Sequence, residues 1–275
     1  NIKAKPEERI HRFAPSPEGL VEILKPIPDD KVLTLSYFQI DDYLTCPLKY
    51  KYVHVLRVPI LPHHTVIYGK ALHAAIEFYH RQKTIGAVLK LEDLIQVYER
   101  AWKSIGFLSR EHEERRFEAG KEALRNFFER EEASNVIPKL VEEKFSFVIK
   151  MNRMEGRWDR VDERNGSIII MDFKSSEVYR QDAADRRTKE SLQLAIYALA
   201  YSKVFDRIPD RVELHFLESG LVGSAEVTEK MLEKSEEKIL EAAEGIRSRN
   251  YSPAPKYQAC KYCAYVDVCP SAMRV

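Results

Sequence analysis

The four cysteines of this 275-residue chain are divided between its two ends, and that division constrains the fold more than any other feature. Cys260, Cys263 and Cys269 form a C-x2-C-x5-C cluster near the C-terminus, while Cys46 stands alone in Thr45-Cys46-Pro47. Thiolates at such short spacing converge on one soft metal centre more readily than on disulfides, and four is the number required by tetrahedral Zn²⁺ or by an iron-sulfur cluster. A centre built this way clasps the C-terminus back onto a segment near the N-terminus. The competing reading makes some of these buried apolar cysteines, since free Cys is among the most buried residue types. No charged start followed by an apolar stretch opens the chain; with cysteines clustered for metal, this favours a reducing, cytoplasmic setting.

The length suits one large domain or two small ones. Hydrophobic residues make up 44% and charged residues 32%, the balance of a soluble globular protein. No apolar run approaches the roughly 18 residues that a membrane span requires, so no membrane partner is expected. A net charge of +1 neither demands nor excludes nucleic acid. An anionic partner must then be held by a local basic groove.

Residues 1–31 read as a linker, because Pro6, Pro15, Pro17, Pro26 and Pro28 interrupt any helical period. With a first residue that is Asn rather than Met, this suggests a fragment tethered to an upstream domain. From Ser36, a helix cap, a helical portion is expected over 36–134, with Cys46 ending the first helix and further helices near 68–83, 91–105 and 109–133. The texture changes at Leu140. Strands are expected at 141–149, 154–162 and 167–174 as an antiparallel meander, the last two joined by Arg164-Asn165-Gly166-Ser167. A helix over 188–205, a strand at 211–217 and a long helix near 228–247 complete a catalytic α/β core of 138–248, ahead of the cysteine module at 260–269.

Chemistry is concentrated in the meander. Asp172 and Lys174 are two apart on a strand and so share a face. The run Ile168-Ile169-Ile170-Met171 buries the strand that carries them, and a hairpin brings Asp159 of Gly156-Arg157-Trp158-Asp159-Arg160 close by. Paired carboxylates offer the hard oxygens that Mg²⁺ or Mn²⁺ prefers, and a neighbouring ammonium offsets charge on a transferring phosphoryl group. Alone, D-x-K is far more often a surface ion pair than a catalytic element. Its context is fuller here: His73 lies in a helix beginning Gly69-Lys70-Ala71-Leu72, and Gln193 and Tyr197, four apart, share one helical face.

In this order, Gly69-x-x-x-His73, Gly156-x-x-Asp159-Arg160, Asp172-x-Lys174 and Gln193-x-x-x-Tyr197 resemble the motif series of the RecB-like branch of the PD-(D/E)xK nuclease superfamily. The cysteine pattern resembles the iron-sulfur staple of AddB-type helicase-nucleases, of nuclease domains in UvrD-like helicases and of CRISPR-associated adaptation exonucleases. Together they cover about residues 35–270. The resemblance implies an α/β (α+β) restriction-endonuclease-like core, a mixed central sheet flanked by helices, with a helical insertion and a C-terminal iron-sulfur module. It implies that His73, Asp159 and Asp172 hold Mg²⁺ or Mn²⁺, that Lys174 is the catalytic lysine, and that Gln193 and Tyr197 position DNA or the site. It further implies that Cys46, Cys260, Cys263 and Cys269 hold a 4Fe-4S cluster, with zinc as the alternative. Glu143 matches a further acidic position, although adjacent Glu142 leaves that register open, and Glu77, one turn beyond His73, is a weaker candidate.

The expected activity is metal-dependent hydrolysis of DNA phosphodiesters, exonucleolytic at single-stranded ends fed by an upstream helicase domain. Arg157, Arg160, Arg180, Arg186, Arg187 and Lys189 are the candidate grip on the DNA backbone. The alternatives are a free-standing CRISPR-type exonuclease and a non-catalytic DNA-binding module stabilised by its cluster.

Overall fold

The computed structural model describes residues 25–134 and 136–273. Most of the expected linker, 1–24, lies outside them. The described chain forms two compact units, one comprising residues up to Val58, Ile149–Arg153 and everything from Lys238 on, the other Pro59–Val148 and Met154–Glu237.

In the first unit, Ser36 opens α1 (Tyr37–Thr45) with a capping box, its backbone N–H donating to Gln39 Oε1 at 3.0 Å. Pro47 begins α2 (Pro47–Tyr50), and the residue before a proline is driven out of helical geometry. Cys46 accordingly adopts φ −165° and ψ 115°, breaking the two helices apart at the thiol. A π-helical turn, Lys51–Val55, follows. Strand β1 (Leu33–Leu35) meets the hairpin turn where Leu33 N–H donates to Met151 O at 3.0 Å. Buried Arg247 binds the carbonyls of Pro28 and Met151 and the side chain of Asn152.

The second unit holds three long helices, α3 (His64–Thr84), α4 (Leu91–Ala101) and α5 (Arg110–Ser134), around Tyr68, Leu72, Tyr79, Leu94, Tyr98, Leu124 and Phe127. The strands that follow along the chain are β2 (Leu140–Ile149), β3 (Asn152–Arg164), β4 (Ser167–Lys174), β5 (Arg211–Phe216) and β6 (Val222–Glu226). With β1 they make a six-stranded sheet among the described residues, in the order β1-β3-β4-β5-β6, with β2 also paired to β3. β3 and β4 run antiparallel through Asn165 and Gly166, both at positive φ as an Asn-Gly turn requires. β5 is parallel to β4 and antiparallel to β6, so the sheet is mixed, as the fold class anticipates.

Two elements depart from the sequence expectation. Instead of one helix over 188–205, α6 (Gln181–Lys189) ends before a new helix, α7 (Leu192–Phe205), capped by Ser191 Oγ on Leu194 N–H at 3.3 Å. α6 has almost no apolar residues to mark it, and only Ala184 and Thr188 are buried. Strand β6 is likewise unmarked, because its Gly223 leaves room for Ala184 O, 2.3 Å from where a Cβ would stand. The helix expected near 228–247 is α8 (Glu229–Arg247), and α9 (Tyr257–Lys261) carries Cys260.

Candidate active site

β4 is buried along nearly its whole length, and its alternation divides two environments. Asp172 and Lys174 face α7, while the ring of Phe173 points the other way, 5.9 Å from Phe127 of α5 and 5.5 Å from His80 of α3. Gln193, in the first turn of α7, joins the two charged residues. Its amide oxygen accepts from Lys174 Nζ at 2.7 Å, and its amide nitrogen donates to Asp172 Oδ1 at 2.7 Å and to Tyr197 Oη at 2.9 Å. The amide orientation is fixed by charge, with oxygen toward ammonium and nitrogen toward carboxylate. Lys174 Nζ also lies 2.7 Å from Asp172 Oδ2, a charge contact that leaves this buried oxygen without a formed hydrogen bond.

The backbone of Phe173 reaches the other half of the site. Its N–H donates to Asp159 Oδ2 at 3.3 Å, and its carbonyl accepts from His73 Nε2 at 2.8 Å. That bond places the proton on Nε2 and leaves Nδ1 as a lone pair, 3.5 Å from Asp159 Oδ2. One edge of the His73 ring reaches solvent, but desolvation dominates and lowers its pKa, so the imidazole is neutral near pH 7. One turn earlier on α3, a Cβ at Gly69 would stand 3.2 Å from Ser175 Oγ, tighter than an ordinary contact.

Asp159 occupies an irregularity in β3. Trp158 packs toward α7, donating to Tyr197 O at 3.0 Å, whereas Arg160, two residues on, packs toward α3 and α5. Two residues apart on a regular strand share a face, so the alternation slips at Asp159; such bulges re-aim side chains beside active sites. Gly156 has a local reason to be glycine, because a Cβ would stand 2.3 Å from the Phe145 ring.

The acid supplied by β2 is Glu142, not Glu143, which is exposed. Glu142 sits at φ 49°, a left-handed geometry that costs a non-glycine residue about 1–2 kcal/mol. The kink turns its side chain inward, to 9% exposure. Strand parity alone favours neither neighbour, and this backbone reversal has no marker in the sequence. Among the described residues, donor atoms of His73, Glu142 and Asp159 all lie within 4.8 Å of one another. Burial, opposed by Arg157, pushes the Glu142 carboxyl up to about 7. Burial and the charges of Asp172 and Glu142 hold Asp159 well above the usual carboxylate range. The carboxylate oxygens of Glu142 and Asp159 and the neutral imidazole of His73 form a donor set that fits Mg²⁺ or Mn²⁺, while Asp172, expected as a ligand, lies outside this group and is held by Lys174 and Gln193. Glu77 instead pairs with Arg81 at 2.9 Å.

Of the candidate DNA contacts, Arg157 is half exposed at the site and paired to Glu142, and Arg180, Arg186, Arg187 and Lys189 are exposed at the start and last turn of α6. Arg160 is a correction. It is 1% exposed and bound to Asp162, Glu131 and His80, so it cannot reach a phosphate.

In the first unit, Cys46, Cys260, Cys263 and Cys269 line one cavity together with Lys49, and Cys46 Sγ accepts from Ala254 N–H at 3.4 Å. Among the described residues, no three cysteine sulfurs lie within 4.8 Å of one another.

A mixed sheet whose buried central strand ends in Asp-x-Lys, flanked by a His/Glu/Asp cluster, defines an α/β nuclease-type centre. The sequence matches the PD-(D/E)XK nuclease superfamily over residues 34–270, and the chain belongs to that superfamily. It is 22% identical to the Gene 69 protein of Mycobacterium phage L5, covering 86% of this chain and 95% of that one. A solved structure from Eubacterium rectale, described as a "putative exonuclease", shares the fold with a TM-score of 0.53 at 9% identity, over 90% of this chain and 91% of that one.

Proposed function

We propose that this protein is a metal-dependent deoxyribonuclease. The observation that carries the reading is the bridging amide of Gln193, which holds Lys174 against Asp172 while His73, Glu142 and Asp159 converge beside them. His73, Glu142, Asp159 and Asp172 would hold Mg²⁺ or Mn²⁺. A divalent cation bound there supplies Lewis acidity to the phosphoryl oxygen and offsets charge that develops as the bond breaks. Lys174, one third exposed, keeps its ammonium at the mouth of the site, where it orients water or stabilises the charge of the pentacoordinate phosphorus transition state. Gln193 holds that lysine, and Tyr197 Oη accepts from the Gln193 amide, so both position the lysine rather than contacting the reacting atoms. Exposed Arg180, Arg186, Arg187 and Lys189 would grip the phosphate backbone, which implies little sequence preference and a strong salt dependence.

The finer reading is an exonuclease acting on single-stranded ends beside a helicase motor. The motif order shared with the RecB-like branch supports it. The four cysteines would hold a structural 4Fe-4S cluster. The four thiolates around one cavity suit either metal group, and the resemblance of their spacing to the iron-sulfur staple favours the cluster. Anaerobically purified protein should then be brown and bleach on oxidation, whereas a colourless zinc protein would refute the cluster.

The test is degradation of end-labelled single-stranded and duplex DNA with Mn²⁺ or Mg²⁺, alongside Asp172→Ala and Lys174→Ala. Cleavage lost in both variants is expected. A folded, metal-loaded wild type that cuts neither substrate refutes the assignment for the isolated chain.

A further inference from the structure

Arg157 has two incompatible attractions. Its Nε lies 2.7 Å from Glu142 Oε2, yet its side chain is 50% exposed at the edge of the site. Glu142 is 9% exposed, held at positive φ, and has an oxygen within 4.8 Å of donor atoms on both His73 and Asp159. The same carboxylate is therefore paired to a guanidinium and placed to share a cation with two neighbours. The other charges nearby are already engaged, Lys174 by Asp172 and Gln193 and Arg81 by Glu77. A guanidinium that leaves a carboxylate at the mouth of a nuclease site has a matched alternative in phosphate, which it binds in the same forked geometry.

We propose that Arg157 is an exchange cation. It neutralises Glu142 until His73, Glu142 and Asp159 take up a divalent ion, and it then transfers to a phosphate of the DNA backbone. This rests on the metal-dependent nuclease reading. One side chain thereby links the two binding events: Arg157 opposes metal uptake in the free protein and strengthens DNA binding once metal is present, a reciprocal coupling between sites.

The test uses the full chain and two binding measurements, Mn²⁺ titration by calorimetry without DNA, and anisotropy of a labelled single-stranded oligonucleotide with Ca²⁺ in place of Mg²⁺. Arg157→Gln should bind Mn²⁺ about 2- to 5-fold more tightly, the range of a partly exposed ion pair, and bind DNA several-fold more weakly. Arg157→Lys should restore the wild-type Mn²⁺ affinity, while recovering only part of the DNA affinity. Arg81→Gln removes a positive charge from the same region without touching Glu142, and should leave Mn²⁺ affinity nearly unchanged. Unchanged or weaker Mn²⁺ binding in Arg157→Gln overturns the proposal, as does an equal gain in Arg81→Gln or undiminished DNA binding. A wild type that binds no Mn²⁺ overturns the metal reading beneath it, which sets that failure apart from the others.

Discussion

Replacing Glu142 with Gln should make the metal-free protein more stable and weaken its metal response. The side chain is 9% exposed, and burial pushes its carboxyl from 4.5 up to about 7. A carboxyl whose pKa is raised by folding keeps its proton in the folded chain after the unfolded chain has lost it. Stability therefore falls as pH climbs from about 4.5 through about 7, and the full destabilisation is present above that range. At 1.36 kcal/mol per pKa unit, the shift corresponds to about 3 kcal/mol at pH 8. Gln keeps the size and an oxygen to accept from Arg157 but has no charge to desolvate. In metal-free buffer, Glu142→Gln should gain about 2–3 kcal/mol at pH 8, roughly 3–5 °C in Tm for a chain of this size, and almost nothing at pH 4. Mn²⁺ at 100 times its Kd should stabilise the wild type by about 2.7 kcal/mol and the variant far less. Thermal melts of both proteins across pH 4–8, with and without Mn²⁺, measure all of this. A variant that is less stable than wild type at pH 8, or whose pH profile parallels wild type, refutes the electrostatic argument.

Gln193→Leu leaves Asp172 Oδ1 and Lys174 without their bridging amide, so kcat should fall about 100-fold with little change in KM, as expected for a group that orients the chemistry rather than binding substrate; an equal rise in KM would argue for direct DNA contact. Gly156→Ala drives a methyl into the Phe145 ring and should cost about 1–3 kcal/mol in a denaturant titration, most of it recovered when Phe145→Leu is added. An additive double variant would show the two sites to be uncoupled. Cys263→Ala should lower Tm and bleach the protein while leaving Asp172 and Lys174 in place, and an unchanged Tm would remove the structural role assigned to the cluster.

The residues that the sequence brings together most clearly are those whose spacing matches a regular element. Asp172 and Lys174 share a face because β4 is regular, and Gln193 meets Tyr197 because four residues on α7 make one turn. The illegible residues lie where regularity fails. Glu142 is turned inward by a positive φ that no glycine or asparagine announces. Arg160 reads as part of a basic run, yet the slip at Asp159 carries it to the opposite side from Trp158 and into a buried network. The helix α6 escapes periodicity because its buried side consists of Ala184 and Thr188 alone. The first two failures share a physical root: a backbone irregularity is set by tertiary packing, and side-chain period reports only the regular stretches between such irregularities.

Two clusters of buried charge lie within the second unit, and their balance separates structural from chemical roles. Around Arg160, two guanidiniums, of Arg160 and Arg164, meet two carboxylates, of Asp162 and Glu131, while burial holds His80 neutral. Glu131 is pulled down to about 2 by its partners, so this cluster stays ionised and self-neutralising. Around Lys174 the count is three carboxylates, Glu142, Asp159 and Asp172, against Lys174 and half-exposed Arg157, with His73 again neutral. Here the carboxyls of Glu142 and Asp159 are pushed up rather than down. Buried carboxyls that lack sufficient countercharge tend to hold protons, which a bound cation can displace. That surplus of buried carboxyls over cationic partners, more than the identity of any one residue, is what supports the proposed divalent-cation site.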